Sequence, residues 1–197
     1  MQEYKIFTES TADIKFIKDF ISEHFSPDAS EDFFFALNSY GGYKNKGRAI
    51  ASIQENFEKG KQTILILDAD NDFANRKSEV LRDFQGYNIP VHLFLFPNDN
   101  SNGSLETLLC EIAEKRDILR CFENYEKCIQ GYESPVIKSK VFAYLDALLP
   151  SLNKKGSKQD LIQEANRNYR NPDHWNLHHE YLHPLHDFLS PFFAEAK

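Results

Sequence analysis

Cysteine is scarce in this chain of 197 residues, which contains only Cys110, Cys121 and Cys128. The number is odd, and no two of these residues have Cys-x-x-Cys spacing. Neither a disulfide framework nor a zinc knuckle is therefore indicated. We expect ordinary reduced, half-buried thiols without a catalytic role.

The chain also lacks long apolar runs. No stretch approaches the roughly 18 to 20 apolar residues that a membrane-spanning helix needs. The segment Met1 to Tyr4 has neither the basic nor the apolar region that opens a signal peptide. These two features predict a cytoplasmic protein with no membrane partner.

Positive charge is in short supply. The net charge is −7 and the pI is about 5.5, whereas broad, non-specific nucleic-acid binding depends on Lys and Arg neutralising phosphates. Such binding is disfavoured, although the composition leaves room for a local basic patch.

Hydrophobic residues make up 41% of the chain and include 17 Phe, which is enough to fill the core of one compact domain with an appendage.

The first half of the chain alternates between strand-like and helix-like segments. Apolar runs predict strands at residues 4–8, 33–37, 63–67 and 91–96. Intervening helices are predicted at residues 13–24, 48–59 and 74–85, followed by a helix from Ser104 to about Lys115. Crossovers of this length join parallel strands, so we expect an α/β fold with a parallel sheet of about four strands flanked by helices.

The second half changes character near residue 116. Helix-like spacing predicts helices at residues 118–132, 136–149 and 159–169. We therefore expect an α/β domain over residues 1–115 and an α-helical C-terminal extension over residues 116–197 that packs on it.

The apolar run Thr63 to Leu67 ends in three carboxylates at alternate positions, Asp68, Asp70 and Asp72. Such a run is typical of a strand buried on both faces of a parallel sheet. Asp68 and Asp70 would point the same way if the extended geometry continued. Carboxylates held this close repel one another, and a bound cation is the simplest way to neutralise them.

Other acids follow neighbouring strands. Glu9 and Asp13 follow the first predicted strand, and Glu106 follows the fourth. The carboxyl ends of parallel strands lie at one edge of the sheet, where ligands gather, so we expect all these acids to lie close together. Oxygen ligands suit Mg²⁺ or Mn²⁺, and such ions can stabilise phosphoryl transfer. Glu9 is the candidate catalytic residue, acting as a general acid or base.

The order of these motifs resembles a known family. A Glu directly after the first strand, the Asp-x-Asp of Asp68 to Asp70, and Gly103-Ser104-Leu105-Glu106 at the start of a helix resemble the Toprim domain. This domain occurs in topoisomerases, primases and OLD-family (overcoming lysogenization defect) nucleases. The ordering more narrowly resembles a bacterial Toprim-like family of unknown function, over residues 4 to about 115.

The resemblance implies roles for individual residues. Glu9 matches the catalytic glutamate, and Asp68 and Asp70 match the metal-binding aspartates. Asp13 and the pair Ser104 and Glu106 resemble the second metal group of OLD-type nucleases. The topoisomerase Tyr domain and the primase zinc domain have no counterpart here, which removes those two activities.

Two functional hypotheses follow. The first is a phosphodiester hydrolase, most concretely a nuclease that acts on nucleic acid with Mg²⁺ or Mn²⁺. The second is a non-catalytic binding or regulatory module that works beside a protein partner such as an ATPase. The acid cluster favours the enzyme, whereas the acidic net charge favours the module.

Two other interpretations of the aspartate run fit less well. A calcium loop needs a turn glycine where this chain has Phe73, and it follows a helix rather than a strand. A haloacid-dehalogenase-type phosphatase places its Asp-x-Asp after the first strand of its fold, whereas here the motif follows the third.

A glycine-rich and basic turn follows the second predicted strand. Backbone N–H groups and cations at such a strand-to-helix turn can hold phosphate. We assign a candidate phosphate-binding set to this turn and to the later Ser: Gly41, Gly42, Lys44, Lys46, Arg48 and Ser104. A solvated turn is the alternative. Five further lysines could extend a basic track for a polynucleotide, although scattered lysines mostly lie at the surface: Lys138, Lys140, Lys154, Lys155 and Lys158.

The C-terminus is rich in histidine and aromatic residues. His179, His183 and His186 have helical spacing, but we expect Pro184 to interrupt a regular helix, and no carboxylate pattern completes a metal motif. A structural or solvent-facing role is predicted for these histidines. The neighbouring aromatic and leucine side chains are expected to form core contacts or an oligomer surface.

Overall fold

The structure is a computed structural model that describes residues 4–25, 34–37, 46–149, 162–163 and 166–193. Its four strands are β1 (Tyr4–Thr8), β2 (Phe34–Ala36), β3 (Gln62–Asp68) and β4 (Val91–Phe96). Its α-helices are α1 (Thr11–His24), α2 (Lys46–Glu58), α3 (Phe73–Gln85), α4 (Leu105–Glu111), α5 (Arg116–Cys128), α6 (Ile137–Leu148) and α7 (His183–Phe193). A short 3₁₀ helix, Glu180–Leu182, precedes α7.

The four strands form one parallel sheet in the order β2-β1-β3-β4. Thr8 of β1 lies opposite Ile66 of β3, and Asp68 of β3 lies opposite Phe96 of β4. The carboxyl ends of the strands therefore meet at one edge. This confirms the predicted α/β fold with a parallel sheet, flanking helices and a helical C-terminal part.

Side chains of β3 explain its continuous apolar sequence. Ile64 and Ile66 join the hydrophobic cluster on one face of the sheet, and Leu65 and Leu67 join the cluster on the other face. All four are completely buried. Because successive residues of a strand point to opposite faces, a strand covered on both sides needs apolar residues at every position.

The C-terminal helices share a core with the sheet. Leu119 of α5, Tyr144 of α6 and Leu189 of α7 belong to the same buried cluster as Ile64. The Tyr144 hydroxyl also donates a hydrogen bond to the carbonyl oxygen of His174 at 2.6 Å. Residues beyond 116 thus cover one face of the sheet.

Helix α4 ends at Glu111, whereas the sequence predicts a helix to about Lys115. The chain leaves the helix to pair with a distant segment: the carbonyl of Ile112 accepts the Asn176 N–H at 2.8 Å, and the Glu114 N–H donates to the carbonyl of His174 at 3.1 Å. Tertiary hydrogen bonding thus overrides local helix propensity here.

The expectation that Pro184 interrupts a regular helix through His179, His183 and His186 is confirmed, because the α-helix begins only at His183 and His179 precedes the separate 3₁₀ helix. Pro184 is the second residue of α7, a position where the missing N–H has no intrahelical acceptor and the fixed φ angle suits the helix. The predicted helix 159–169 lies partly outside the described residues, and residues 167–169 are not helical.

The three cysteines differ in exposure. Cys110 is buried, whereas Cys121 and Cys128 are exposed on α5, so the expectation of half-buried thiols was wrong.

In the part of the chain that the structure describes, no helix has both the length and the apolar character needed to cross a membrane.

Candidate functional site

Four of the predicted acids come together at the carboxyl edge of the sheet, and we call them the acidic edge: Glu9, Asp13, Asp68 and Glu106. Asp68 ends β3, and Glu9 follows β1, its neighbour in the sheet. Asp13 and Glu106 lie in the first turns of α1 and α4. The topology therefore brings residues that are almost 100 positions apart to one place.

Asp13 is held by the start of α1. Its Oδ2 atom accepts the Ser10 N–H at 2.8 Å, and the Asp13 N–H donates to the Ser10 hydroxyl at 3.3 Å. This reciprocal capping box fixes the carboxyl group while leaving only 6% of the residue exposed.

Asp68 connects β3 to the start of α4. Its Oδ1 atom accepts the Leu105 N–H at 3.0 Å. The first N–H groups of a helix have no intrahelical partner, so this carboxylate satisfies one of them. Asp68 thereby ties the third strand to the helix that carries Glu106.

Glu106 is also only 6% exposed. Its Oε2 atom accepts the Ser104 hydroxyl at 2.8 Å, and its Oε1 atom lies 3.5 Å from Nζ of Lys138. Lys138 belongs to α6, so the helical extension contributes a cation to the acidic edge. The Lys138 side chain is half exposed, which keeps part of it accessible from solvent.

Glu9 forms an ion pair with Arg76 of α3. The Arg76 Nη2 atom donates to Oε1 of Glu9 at 2.6 Å, and its Nε atom donates to the carbonyl oxygen of Asp68 at 3.3 Å. The Arg76 side chain is 15% exposed and the Glu9 side chain is 27% exposed. One guanidinium group therefore contacts the ends of both β1 and β3.

Burial is the largest cause that raises the pKa values of Glu9, Asp13 and Asp68. Burial, followed by the charges of Asp13, Glu9 and Glu106, raises the pKa of Asp68 to about 8 from its ordinary value of 3.8. Burial is also the main cause that raises the pKa of Asp13 to about 7, despite hydrogen bonds from Ser10. Burial raises the pKa of Glu9, against the effect of Arg76.

Asp70 does not continue the strand as the alternating pattern suggested. Its φ angle is +55°, in the left-handed region, and the chain turns there. The Asp70 N–H and carbonyl bond to the carbonyl and N–H of Gly103 at 2.9 and 2.7 Å. Its exposed carboxylate still lies near enough to Glu9 to raise the pKa of that residue.

Asp72 has a structural partner in this fold. It is the N-cap of α3, and its Oδ1 atom accepts the Asn75 N–H at 3.1 Å. Its side chain is exposed. Of the six predicted acids, four form the acidic edge, Asp70 lies at its side, and Asp72 caps a helix.

The loop after β4 fixes the turn that carries Asp70. Asn102 accepts the Phe73 N–H at 2.8 Å through its side-chain oxygen and donates to the carbonyl of Asn71 at 2.6 Å. Lys77 pairs with Asp99 at 2.7 Å. These contacts hold the segments after β3 and β4 against each other.

The predicted phosphate-binding set is only partly described. Gly41, Gly42 and Lys44 lie outside the described residues, as does the side chain of Lys46, whose backbone begins α2. Arg48 is exposed in the first turn of that helix. The Ser104 hydroxyl is engaged with Glu106, and its N–H donates to Oγ1 of Thr107 at 3.1 Å.

Sequence reasoning missed Arg76 altogether, and although Lys138 is exposed as expected, its ion pair with Glu106 was not predicted. A signal for Arg76 was present, because the first turn of a helix that follows an Asp-x-Asp motif also lies at the carboxyl edge. Lys138 gave no such signal, since its position depends on how α6 packs beside α4.

The acidic edge matches the ligand chemistry of a hard divalent cation but is not pre-arranged as a metal site. Carboxylate oxygens are the ligands that Mg²⁺ prefers. Within the described ranges, however, no three His, Cys, Asp or Glu side chains are arranged to hold a metal ion. Protein donors already engage the carboxylates: the Leu105 N–H bonds to Asp68, and Arg76 bonds to Glu9.

The C-terminal histidines surround a separate cavity of about 250 Å³ between α1 and α7, lined by His24, His178, His179, His183 and His186 together with three apolar side chains. His24, which sequence reasoning did not single out, is bonded through Nε2 to the carbonyl of Leu177 at 2.9 Å. Burial, and to a lesser extent His178 and His186, lowers its pKa.

Comparisons with known proteins identify no family to which this chain belongs. No family model matches the chain, and neither a curated protein nor a solved structure matches it. The Toprim resemblance stays a prediction that depends on the order of the motifs.

Proposed function

We propose that this protein is a divalent-metal-dependent phosphodiester hydrolase, nuclease-like in its chemistry, that acts on nucleic acid through the acidic edge. The supporting observation is the accumulation of buried carboxyl groups at the carboxyl end of a parallel sheet. Asp13 and Glu106 are almost completely buried there, and the pKa values of Asp13 and Asp68 are raised to about 7 and 8. Perturbed acids gathered at one place are typical of functional sites.

The charge balance of the edge favours a cation. Including Asp70, five carboxyl groups lie at or beside it, and among the residues that the structure describes the basic side chains paired with them are Arg76 and Lys138. Mg²⁺ or Mn²⁺ would relieve the repulsion among these carboxylates, which adds to burial in raising the pKa values of Asp68 and Asp13. In this proposal Asp68 and Asp70 would hold the principal ion, and Asp13 and Glu106 would support a second, which leaves Glu9 free to carry a proton.

Each protein group then has a task. A divalent ion held by Asp68 and Asp70 would polarise the phosphoryl oxygens and lower the pKa of water. Glu9 moves the proton of the attacking water or of the leaving hydroxyl. Lys138, half exposed beside Glu106, binds a phosphate of the substrate. The Toprim resemblance implies the same substrate class.

Cleavage assays test the proposal. Purified protein is incubated with Mn²⁺ or Mg²⁺ and with single- and double-stranded DNA and RNA. We expect cleavage of at least one substrate, and we expect Glu9→Gln to reduce it by roughly 10² to 10⁴-fold, as is typical when a general acid or base is lost. Glu114→Gln is the matched control, because Glu114 is exposed and lies outside the acidic edge.

Equal cleavage by Glu9→Gln and by the unaltered protein would contradict the assignment of Glu9. A contaminating nuclease is recognised because its activity would persist in an Asp68→Asn variant as well. Melting temperatures of all variants show whether a lost activity reflects lost folding.

A second candidate function is a non-catalytic binding or regulatory module that works with a protein partner such as an ATPase. Arg76 favours this alternative, because it already neutralises Glu9 within the chain. The module hypothesis predicts that metal binding, if any, is accompanied by no cleavage of any of these nucleic acids. Failure of every substrate in the assay would make it the better proposal.

A further inference from the structure

We propose that Arg76 is a resident counter-ion of the acidic edge, which occupies the place of the divalent cation beside Glu9 and Asp68 and must be displaced before the metal binds there. This inference rests on the proposed function and adds a control on metal entry. It concerns metal affinity, and it can therefore be tested without knowing the substrate.

The guanidinium group of Arg76 lies between the ends of two strands. Its Nη2 atom lies 2.6 Å from Oε1 of Glu9, and its Nε atom lies 3.3 Å from the carbonyl oxygen of Asp68. It thus bridges the ends of two neighbouring parallel strands, β1 and β3. A metal ion held by the Asp68 carboxylate would approach the end of β3, where this guanidinium group already contacts the main chain.

Helix α3 holds Arg76 in this position. The Arg76 N–H donates to the carbonyl oxygen of Asp72 at 2.9 Å, and the Asp72 side chain caps the helix. On the far side, Nη1 of Arg76 lies 4.0 Å from Oε2 of Glu79. Because only 15% of the side chain is exposed, the guanidinium group is a fixed part of the edge rather than a mobile surface cation.

Two electrostatic effects of Arg76 on metal binding have opposite signs. The guanidinium charge repels a divalent cation at the same edge, which weakens binding. The same group aligns the Glu9 carboxylate, which would favour binding. Because the repulsion acts on both charges of the ion whereas the alignment concerns one side chain, we expect the repulsion to dominate.

The test is a Mn²⁺ titration of the full chain by calorimetry at pH 8. We expect Arg76→Gln to bind Mn²⁺ at least tenfold more tightly than the unaltered protein. Lys77→Gln is the matched control, because it removes the same charge from the next residue of α3, where the ammonium group pairs with Asp99 instead. The control should change the affinity by less than twofold.

The outcomes separate this inference from the proposed function. Unchanged or weaker Mn²⁺ binding in Arg76→Gln, alongside Asp68-dependent binding by the unaltered protein, overturns the counter-ion role and leaves the metal site intact. Binding by Arg76→Gln alone supports the counter-ion role. Absence of binding in both proteins overturns the inference and the metal site together.

A second measurement needs no folded Arg76→Gln protein. The Nε–H signal of Arg76 in ¹⁵N-resolved NMR spectra is assigned by its loss in Arg76→Lys. Saturating Mg²⁺ should shift this signal in the unaltered protein as the guanidinium group leaves Glu9. A signal that does not move while Mg²⁺ binds at Asp68 would overturn the displacement.

Discussion

Asp68 is a residue whose ionisation opposes folding in the absence of a cation. Burial and three neighbouring acids raise its pKa to about 8, and the pKa of Asp13 is raised to about 7. In the unfolded chain both groups titrate near 3.8. The folded protein therefore binds more protons than the unfolded chain between these values, and its free energy of unfolding falls as the pH rises from about 4 to about 8.

Asp68→Asn should consequently stabilise the metal-free protein at high pH. Asparagine keeps a side-chain oxygen to accept the Leu105 N–H but carries no charge. We expect a gain on the order of 2 kcal/mol at pH 8 that shrinks towards pH 5. Thermal melts in chelator at the two pH values measure this gain, with Glu114→Gln as control. A variant that is less stable than the unaltered protein at pH 8 would show that the carboxylate is not repelled by its neighbours.

Asp72 should behave as a helix cap and not as a metal ligand. Replacement by Ala removes the acceptor of the Asn75 N–H, and we expect a loss of about 1 kcal/mol in stability. Mn²⁺ affinity should stay within twofold of the unaltered protein. Urea unfolding measures the first quantity and calorimetry the second. A large loss of Mn²⁺ affinity in a folded Asp72→Ala protein would return this residue to the metal site.

At the scale of elements, the loop between β4 and α4 connects several parts of the site. Gly103 exchanges two backbone hydrogen bonds with Asp70, and the helix that follows supplies the N–H group that bonds to Asp68. Gly103 has a φ angle of +138°, and a Cβ atom there would lie 2.6 Å from Oγ1 of Thr107. Both its backbone conformation and its surroundings require glycine.

Gly103→Ala should destabilise the protein by about 2 kcal/mol, because backbone strain and the clash with Thr107 add up. Gly60→Ala is the matched control, since Gly60 also has a positive φ angle of +76° but has open space where a Cβ atom would go. We expect the control to lose less than half as much. Equal losses in urea unfolding would mean that the contact with Thr107 has no cost.

The sequence was a good guide to elements whose signal is local. The apolar run of β3 predicts a strand buried on both faces, and the alternation of strands and helices predicts the parallel sheet. The predicted ends of β1 and β3 also placed Glu9 and Asp68 at the same edge of the sheet, where the structure has them. The end of α4 at Glu111 could not be predicted, because it depends on hydrogen bonds to residues 174–176. The turn at Asp70 depends in the same way on Gly103, which is remote in sequence.

At the scale of the whole molecule, the helical extension is part of the same core as the sheet. Leu119, Tyr144, Trp175 and Leu185 are buried in the cluster that covers one face of the sheet. Lys138 of α6 also reaches Glu106 at the acidic edge. Contacts of this kind join segments far apart in the chain, which is why sequence reasoning did not pair Lys138 with Glu106.

A chain truncated after residue 115 should therefore not fold on its own. Its first half would expose the apolar face that the C-terminal helices cover, and the lost burial would exceed the few kcal/mol by which domains are stable. We expect broad, non-cooperative thermal melting and binding of a hydrophobic dye. A sharp two-state melting transition of residues 1–115 would show instead that the α/β part is an independent domain.

If the acidic edge binds a divalent cation, a Mn²⁺ titration of the whole protein at pH 8 should detect it and should depend on Asp68. We predict that the unaltered protein binds Mn²⁺, that Asp68→Asn weakens this binding at least tenfold, and that Glu114→Gln leaves it unchanged. The same Mn²⁺ affinity in Asp68→Asn and in the unaltered protein would contradict the account.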